Sequence, residues 1–395
     1  MKKKVLAAII IAMGVLTACG NQQIESPIIT VEPEPIATAT PEPIESSASL
    51  EEPTEESTDL VLITDRQVVD GKKQSYLTGE WKDAAVVDRR NMAVMVSNNK
   101  PALPQHGISQ ASIIYEAPME AGTCTRLMCV FEDYDDLDFV GPVRSSRDYF
   151  VYEAMAFDSI YVNWGLAVPY VAPVINTDRI DNVSQAVAGM EKGVASAAFE
   201  RYSRPGYATE YTGCLVVDQY EKAVDRFDYA KEYTDRFVQT FTFADSEAGK
   251  RVTYDEYPDA TKIMPGGTAD NSGGYQEGDP YFVYDEEDGL YYRFQNGGMH
   301  IDEMNNEQLA VSKVVFMVCY GEERDAKGYL AFGVHGEGDA YVFTNGKVIK
   351  GTWKRNSDYE PNMFYDENGN EIILNQGKTW ICNIWQQYQS CMSWE

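Results

Sequence analysis

The chain predicts an α+β, or mixed α/β, fold: an N-terminal mixed α/β domain over residues 76–236, then a mainly antiparallel β domain over residues 237–395. Three observations carry this. Up to about Phe227, short apolar runs alternate with segments of helical periodicity, the texture of packed sheet and helix layers. Beyond Phe237 the chain becomes short apolar strands punctuated by Asn-Gly turns. Finally, 44% hydrophobic residues, with 12% aromatic, suffice to build a core for a body of about 320 residues.

In order along the chain, regular structure is expected from Tyr76 to Trp81 onward, where aromatics return. Met92 to Val96 reads as a buried strand, Ala111 to Tyr115 as a second and Cys124 to Phe131 as a third, followed by an acidic turn from Glu132 to Asp138. Phe139 to Val143 leads into a helix from about Ser146 to Phe157, with Ser145 or Ser146 as its N-cap. Ser159 to Trp164 is strand-like, and Val183 to Tyr202 and Leu215 to Phe227 have helical spacing. In the second domain, strands are expected at Tyr281 to Tyr284, Leu290 to Phe294, Val311 to Tyr320, Tyr329 to Val334, Ala340 to Thr344, Lys347 to Lys354, Glu371 to Leu374 and Thr379 to Ile384. Asn345-Gly346 is the sharpest hairpin signal, with Asn296-Gly297 and Asn368-Gly369 weaker. Pro258 to Asp279, rich in Gly, Asp and Pro, reads as a mobile connector.

The N-terminus has a different logic. Lys2 to Lys4 precede an apolar run from Val5 to Leu16, too short to span a bilayer, and then Leu16-Thr17-Ala18-Cys19. Charge, length and small residues together read as a bacterial lipoprotein signal over residues 1–19, with Cys19 as the lipidation site and mature N-terminus. Each buried methylene adds roughly 0.8 kcal/mol, so two or more chains anchor firmly. Residues 20–75 read as a disordered acidic stalk, because Pro, Glu and Thr dominate and no Lys or Arg occurs from Gly20 to Ile63. The expected location is therefore extracytoplasmic, lipid-anchored to the cell membrane.

The net charge of -29 argues against nucleic acid and against adhesion to anionic lipid by the body itself. No metal or cofactor is expected: the three histidines and seven cysteines include no CxxC or HxxxH spacing. No disulfide is needed, although Cys382 and Cys391 would be the first pair to consider. Asp366 to Asn370 mimics a calcium loop but lacks its glycine and its terminal glutamate, and is better read as a turn. Trp164, Tyr170, Trp353, Trp380 and Trp385 could stack on sugars, but their apolar neighbours favour core packing.

The best chemical candidate is Gly141-Pro142-Val143-Arg144-Ser145-Ser146-Arg147. A strand ends there, two arginines flank two hydroxyls, and a helix begins, so backbone N–H groups and planar guanidinium forks together describe an anion site. Arg126, on the neighbouring strand, adds a third cation. Alternatively, the three arginines pair structurally with Glu116, Glu120 and Asp148; spacing alone allows both. Glu116 and Glu120 could themselves form an acid/base pair if about 5–10 Å apart. Ser145 and Ser146 have no histidine base in the same stretch and no GxSxG elbow. His106 sits in a turn-like segment.

At these residues the chain resembles the YerB-like lipoproteins, a two-domain bacterial envelope family of unestablished function. The resemblance runs through Arg90 to Val96, Pro101 to Gln105, Gly107 to Glu116, Glu120 to Gly122, Thr125-Arg126, Gly141 to Arg147 and Tyr149-Phe150. It continues in Tyr281 to Asp285, Tyr291 to Arg293, Asn296 to Asp302, Gly346 to Lys354 and Asn375 to Trp380. The chain departs from the family at Gly206 to Thr209 and Asn163 to Gly165, where it carries no histidine. The resemblance implies an address and an architecture, and supplies no catalytic residue.

Two functions from different classes are compatible with this reading. One is an envelope binding or assembly factor that engages a wall polymer or envelope protein through an anion site of Arg126, Arg144, Ser145, Ser146 and Arg147 with Glu116 and Glu120. The other is a hydrolase or transferase acting on a phosphodiester or glycan, with Glu116 or Glu120 as acid/base. A purely structural envelope protein is a third.

Overall fold

The computed structural model describes residues 59–120, 124–238, 241–266, 274–275 and 277–395. The signal, Cys19 and residues 20–58 of the stalk lie outside the described residues, as do residues 267–273 and 276 of the expected connector.

A ten-stranded mixed sheet organises the chain. Its strands are β1 (Met92–Ser97), β2 (Ile113–Pro118), β3 (Thr125–Phe131), β4 (Ile160–Asn163), β5 (Asn182–Ser184), β6 (Lys313–Cys319), β7 (Gly336–Thr344), β8 (Lys347–Arg355), β9 (Met363–Asp366) and β10 (Thr379–Trp385). They lie in the order β9-β8-β7-β6-β10-β2-β3-β1-β4-β5. The centre is parallel: β10 pairs with β6 on one side and with β2 on the other, placing Trp380 beside Ile114 and Cys382 beside Glu116. One sheet therefore runs through both halves of the chain.

Every residue of β1, β2, β3, β6 and β10 is buried. Such strands read as continuous apolar runs because layers cover both faces. On one face Ala93, Met95, Tyr115 and Ile381 pack with helices α2 (Asp148–Met155) and α3 (Val168–Ile175). On the other, Val94, Ile114, Leu127 and Trp380 meet the buried stripe of α4 (Val217–Arg226), formed by Val217, Tyr220, Ala223 and Val224, at the spacing of one helical face. A short helix, α1 (Ala84–Asp88), precedes the sheet. A second, antiparallel sheet, formed by Gly298–Met299, Leu290–Gln295, Tyr281–Asp285, Lys262–Met264 and Ser393–Trp394 with Ala310–Val311 alongside, supplies Phe282, Tyr291 and Val311 to the same face. The fold is α+β, as the sequence predicts.

The β7–β8 hairpin closes through Asn345 (φ 49°) and Gly346 (φ 68°), with Thr344 opposite Lys347, the two left-handed positions that Asn-Gly accommodates. A Cβ on Gly346 would lie 2.9 Å from the Tyr284 ring. Gly346→Ala is therefore expected to cost about 1–2 kcal/mol, read as a lower urea midpoint.

Several expectations need correction. Val183 to Tyr202 is not an α-helix but β5, turns, a single 3-10 turn (Ser196–Ala198) and the strand Phe199–Arg201. Gly189 (φ 88°) and Gly193 (φ 68°) break any helical path, and a Cβ on Gly193 would overlap Asn182. Helix α3 was not foreseen because Pro169 and Pro173 mask it; the first sits in its opening turn, where proline is tolerated. Helix α2 begins at Asp148 with Arg147 as N-cap and no side-chain capping bond, so neither Ser145 nor Ser146 caps it. Strand β9 replaces the strand expected at Glu371 to Leu374. Order begins before Tyr76: Leu62 bridges Ala244, and Ile63 is buried. Lys262–Met264, within the expected connector, is an interior strand of the second sheet. Cys124, Cys129, Cys214, Cys319 and Cys382 carry no disulfide, so the Cys382–Cys391 pair is not formed. Trp353, Trp380 and Trp385 are core residues, as their apolar neighbours suggest.

Candidate functional site

Backbone bonds fix the segment from Val143 to Ser146 on both sides. Val143 N–H donates to the Gly213 carbonyl (2.8 Å), Arg144 N–H to that of Met95 (2.9 Å) and Ser146 N–H to that of Gly165 (2.8 Å). Gly165 (φ 99°) must be glycine, since a Cβ would sit 2.4 Å from Ser145 Oγ. The side chains along this clamp then have fixed directions.

Arg126 and Arg144 come together. Arg126, only 8% exposed, donates from Nη1 to the Ser145 carbonyl (2.6 Å), while its Nε has no partner. No carboxylate pairs with it among the described residues. Burial, reinforced by the neighbouring Arg144 charge, pushes its pKa down to about 10. Arg144 lies at the surface, its Nη1 and Nη2 both donating to Glu210 Oε2 at 3.2 Å, with the Tyr211 ring 5.3 Å away. Glu210 itself is more than half exposed. Of these two neighbouring guanidinium groups, Arg144 alone meets a carboxylate among the described residues, and that carboxylate faces solvent.

The remaining candidates are placed differently. Arg147 is buried, pairs with Glu120, donates from Nη1 to the Ser146 carbonyl (2.8 Å) and lies over Tyr329. Ser145 Oγ makes one long contact, 3.4 Å, to the Trp164 carbonyl. Ser146 is fully buried, its hydroxyl 2.7 Å from Tyr161 Oη. Arg126 stands opposite Ala117 in the β2–β3 register, so Glu116, one residue earlier, projects from the other face. His106 stacks on Phe139 and meets Asp138.

Glu116 has no exposed side-chain surface and fills its acceptor positions. Oε1 accepts from Asn98 (3.0 Å), Thr125 (2.7 Å) and Arg293 Nη2 (2.9 Å), and Oε2 accepts from Trp380 Nε1 (2.9 Å) and lies 2.8 Å from Arg293 Nη2 in the ion pair. Arg293 is equally buried, its guanidinium 4.6 Å from both the Phe282 and Trp380 rings. Around them Gln105, Gln295 and His300 continue the polar network. Burial and the Arg293 charge hold the His300 pKa well below the ordinary imidazole range. Sequence reasoning named Glu116 but missed Arg293 and Trp380 as its partners, although both lie in stretches that carry the family resemblance. Glu116 and Glu120 do not line a common open cleft, which acid/base chemistry by this pair would require.

A separate cleft of about 880 Å³ opens among Trp81, Tyr292, Gln376 and Lys378, and none of the predicted site residues lines it.

Fold and arrangement together define a two-part α+β protein whose halves share one sheet and one buried polar network. Two family models match in chain order. The N-terminal domain of the protein of unknown function DUF3048 matches residues 77–228, and the C-terminal domain of the same description matches residues 272–381. The chain belongs to this DUF3048 family, the YerB-like proteins. It is 28% identical over 317 residues to the provisionally named lipoprotein YerB of Bacillus subtilis (strain 168), covering 78% of this chain and 86% of that one. The crystal structure of the YerB protein from Bacillus subtilis shares the fold, with a TM-score of 0.64, 24% identity and coverage of 81% of this chain and 98% of that one. Among the described residues no helix is long and apolar enough to cross a membrane.

Proposed function

We propose that this protein is a lipid-anchored, extracytoplasmic binding or assembly factor that engages an anionic group through Arg126 and Arg144. The supporting observation is Arg126: a buried guanidinium with an unpaired Nε and no carboxylate partner among the described residues, next to a second guanidinium whose counter-charge is the exposed Glu210. An isolated buried cation is costly. A phosphate or carboxylate that displaced Glu210 would relieve that cost with bidentate, charge-assisted bonds. Wall-polymer phosphate or a carboxylate on an envelope protein supplies such a group. The address rests on the signal sequence, Cys19 and the lipoprotein name of the Bacillus relative.

Binding of poly(glycerol phosphate) to the full chain tests this. Arg144→Ala is expected to abolish binding with little change in thermal stability, because Arg144 is partly exposed and its ion pair with Glu210 is a surface one. Glu210→Gln is expected to tighten binding. Equal loss of fold and binding in Arg144→Ala contradicts the proposal.

A further inference from the structure

We propose that the 880 Å³ cleft is a second binding site, independent of the arginine pair, and that it takes a glycan chain free of anionic groups. Its floor is built to hold its shape. The segment from Gln376 to Lys378 is held from beneath by buried Lys313, whose Nζ donates to the carbonyls of Asn375 (2.9 Å) and Gly377 (2.6 Å) and to Ser312 Oγ (3.1 Å). Ser312 Oγ in turn donates to the Lys378 carbonyl (2.9 Å), tying the same segment from a second point. Gly377 (φ 113°) approaches Ser312 so closely that a Cβ would lie 2.7 Å from its hydroxyl oxygen. The amine of Lys378 is tied down on the Ser109 carbonyl.

The walls supply sugar-recognising chemistry. Trp81 and Tyr292 bring half-buried aromatic surface into the cleft, and the Tyr292 hydroxyl is held by Asp288 at 2.5 Å. Gln308 is oriented by donating from Nε2 to the Arg293 carbonyl (2.7 Å), leaving its amide oxygen to meet a ligand hydroxyl. The carboxylates of Glu80, Glu247 and Glu307 line the same space, exposed and without an ion pair among the described residues. Sugar rings present apolar C–H faces to aromatics and hydroxyl rims to planar amides and carboxylates. The carboxylates accept hydroxyl or ammonium donors, and with Asp288 they outnumber the two cations of the lining, Arg251 and Lys378, which are engaged by Asn345 and the Ser109 carbonyl, so the space disfavours phosphate or uronate. The volume lies within the range of ordinary ligand sites.

Calorimetric titration of the full chain with chitotetraose, its fully N-acetylated counterpart and tetragalacturonate tests the assignment. Saturable binding of at least one of the first two is expected, and none of the third. Trp81→Ala should weaken binding by about tenfold or more. Because Trp81 lies in a paired strand, Glu307→Lys on the exposed rim provides an independent variant, with a similar loss expected. Arg144→Ala should leave glycan binding unchanged, which separates this site from the arginine pair. Failure of both oligosaccharides to bind, equal binding of tetragalacturonate, or unaltered binding by both cleft variants overturns the proposal.

Discussion

Arg293→Met is expected to destabilise the protein by about 3–5 kcal/mol, because it leaves the Glu116 carboxylate buried without its counter-charge. Both side chains are wholly inaccessible and 2.8 Å apart, so water cannot screen what remains. Asn98, Thr125 and Trp380 would still donate to Glu116, but none carries a charge. Two further nitrogens of Arg293, Nε and Nη1, have no hydrogen-bond partner, and the rings of Phe282 and Trp380 supply only part of the compensation. The pair therefore helps little in net terms yet is costly to break. The double variant Glu116→Gln/Arg293→Met should recover much of the loss, since it removes both charges. Urea unfolding of the two singles and the double checks this; strict additivity would contradict the account.

The second large effect concerns pH. Glu153, on α2, is fully buried on the opposite face of the sheet, where Asn383 Nδ2 donates to its Oε1 (2.5 Å) and its Oε2 is unpartnered. Tyr115 from β2, Cys319 from β6, Arg355 at the end of β8, Tyr161 from β4 and Tyr149 from α2 itself feel its charge. Burial raises its pKa from 4.5 to about 8, against the lesser pull of Asn383 and Arg355. The unfolded chain thus releases this proton near pH 4.5, while the folded chain keeps it to about pH 8. Within that window the folded state binds more protons, so this group's contribution to stability is complete below it, falls as pH rises and is gone above it. A few kcal/mol is the expected scale. Glu153→Gln retains the carbonyl that Asn383 uses and should flatten that part of the stability profile. A wild-type profile with the same slope as the variant contradicts the assignment.

The parts of this molecule governed by local rules were legible in the sequence. The buried strands β1 and β3 announce themselves as apolar runs, and Asn345-Gly346 dictates its own hairpin. Where tertiary packing overrides periodicity, sequence reading failed. Val183, Val187, Met190 and Val194 have helical spacing, yet Gly189 and Gly193 serve turns that press against Val168 and Asn182 respectively. Helix α3 hides behind its prolines. The arrangement of the candidate residues was legible in part: Arg126 and Arg144 do lie close together, because the residues around Val143 are clamped against β1. The fates of Glu116, Arg147 and Ser146 depend on partners distant in the chain, such as Arg293, Tyr329 and Tyr161. No local pattern reveals those partners. The 880 Å³ cleft likewise draws on Trp81, Tyr292 and Lys378, residues that only the fold brings together.

The central claim is that Arg126 and Arg144 form one anion site, and the unpaired Arg126 Nε–H is its most direct reporter. Nitrogen-edited NMR of arginine side chains, following that signal as inorganic phosphate is added to the full chain, tests it. A saturable shift of the Arg126 Nε–H resonance in the wild type, lost in Arg144→Ala while the backbone spectrum is preserved, is the predicted result. An Arg126 signal that does not respond to phosphate, or that responds identically in Arg144→Ala, would contradict the account.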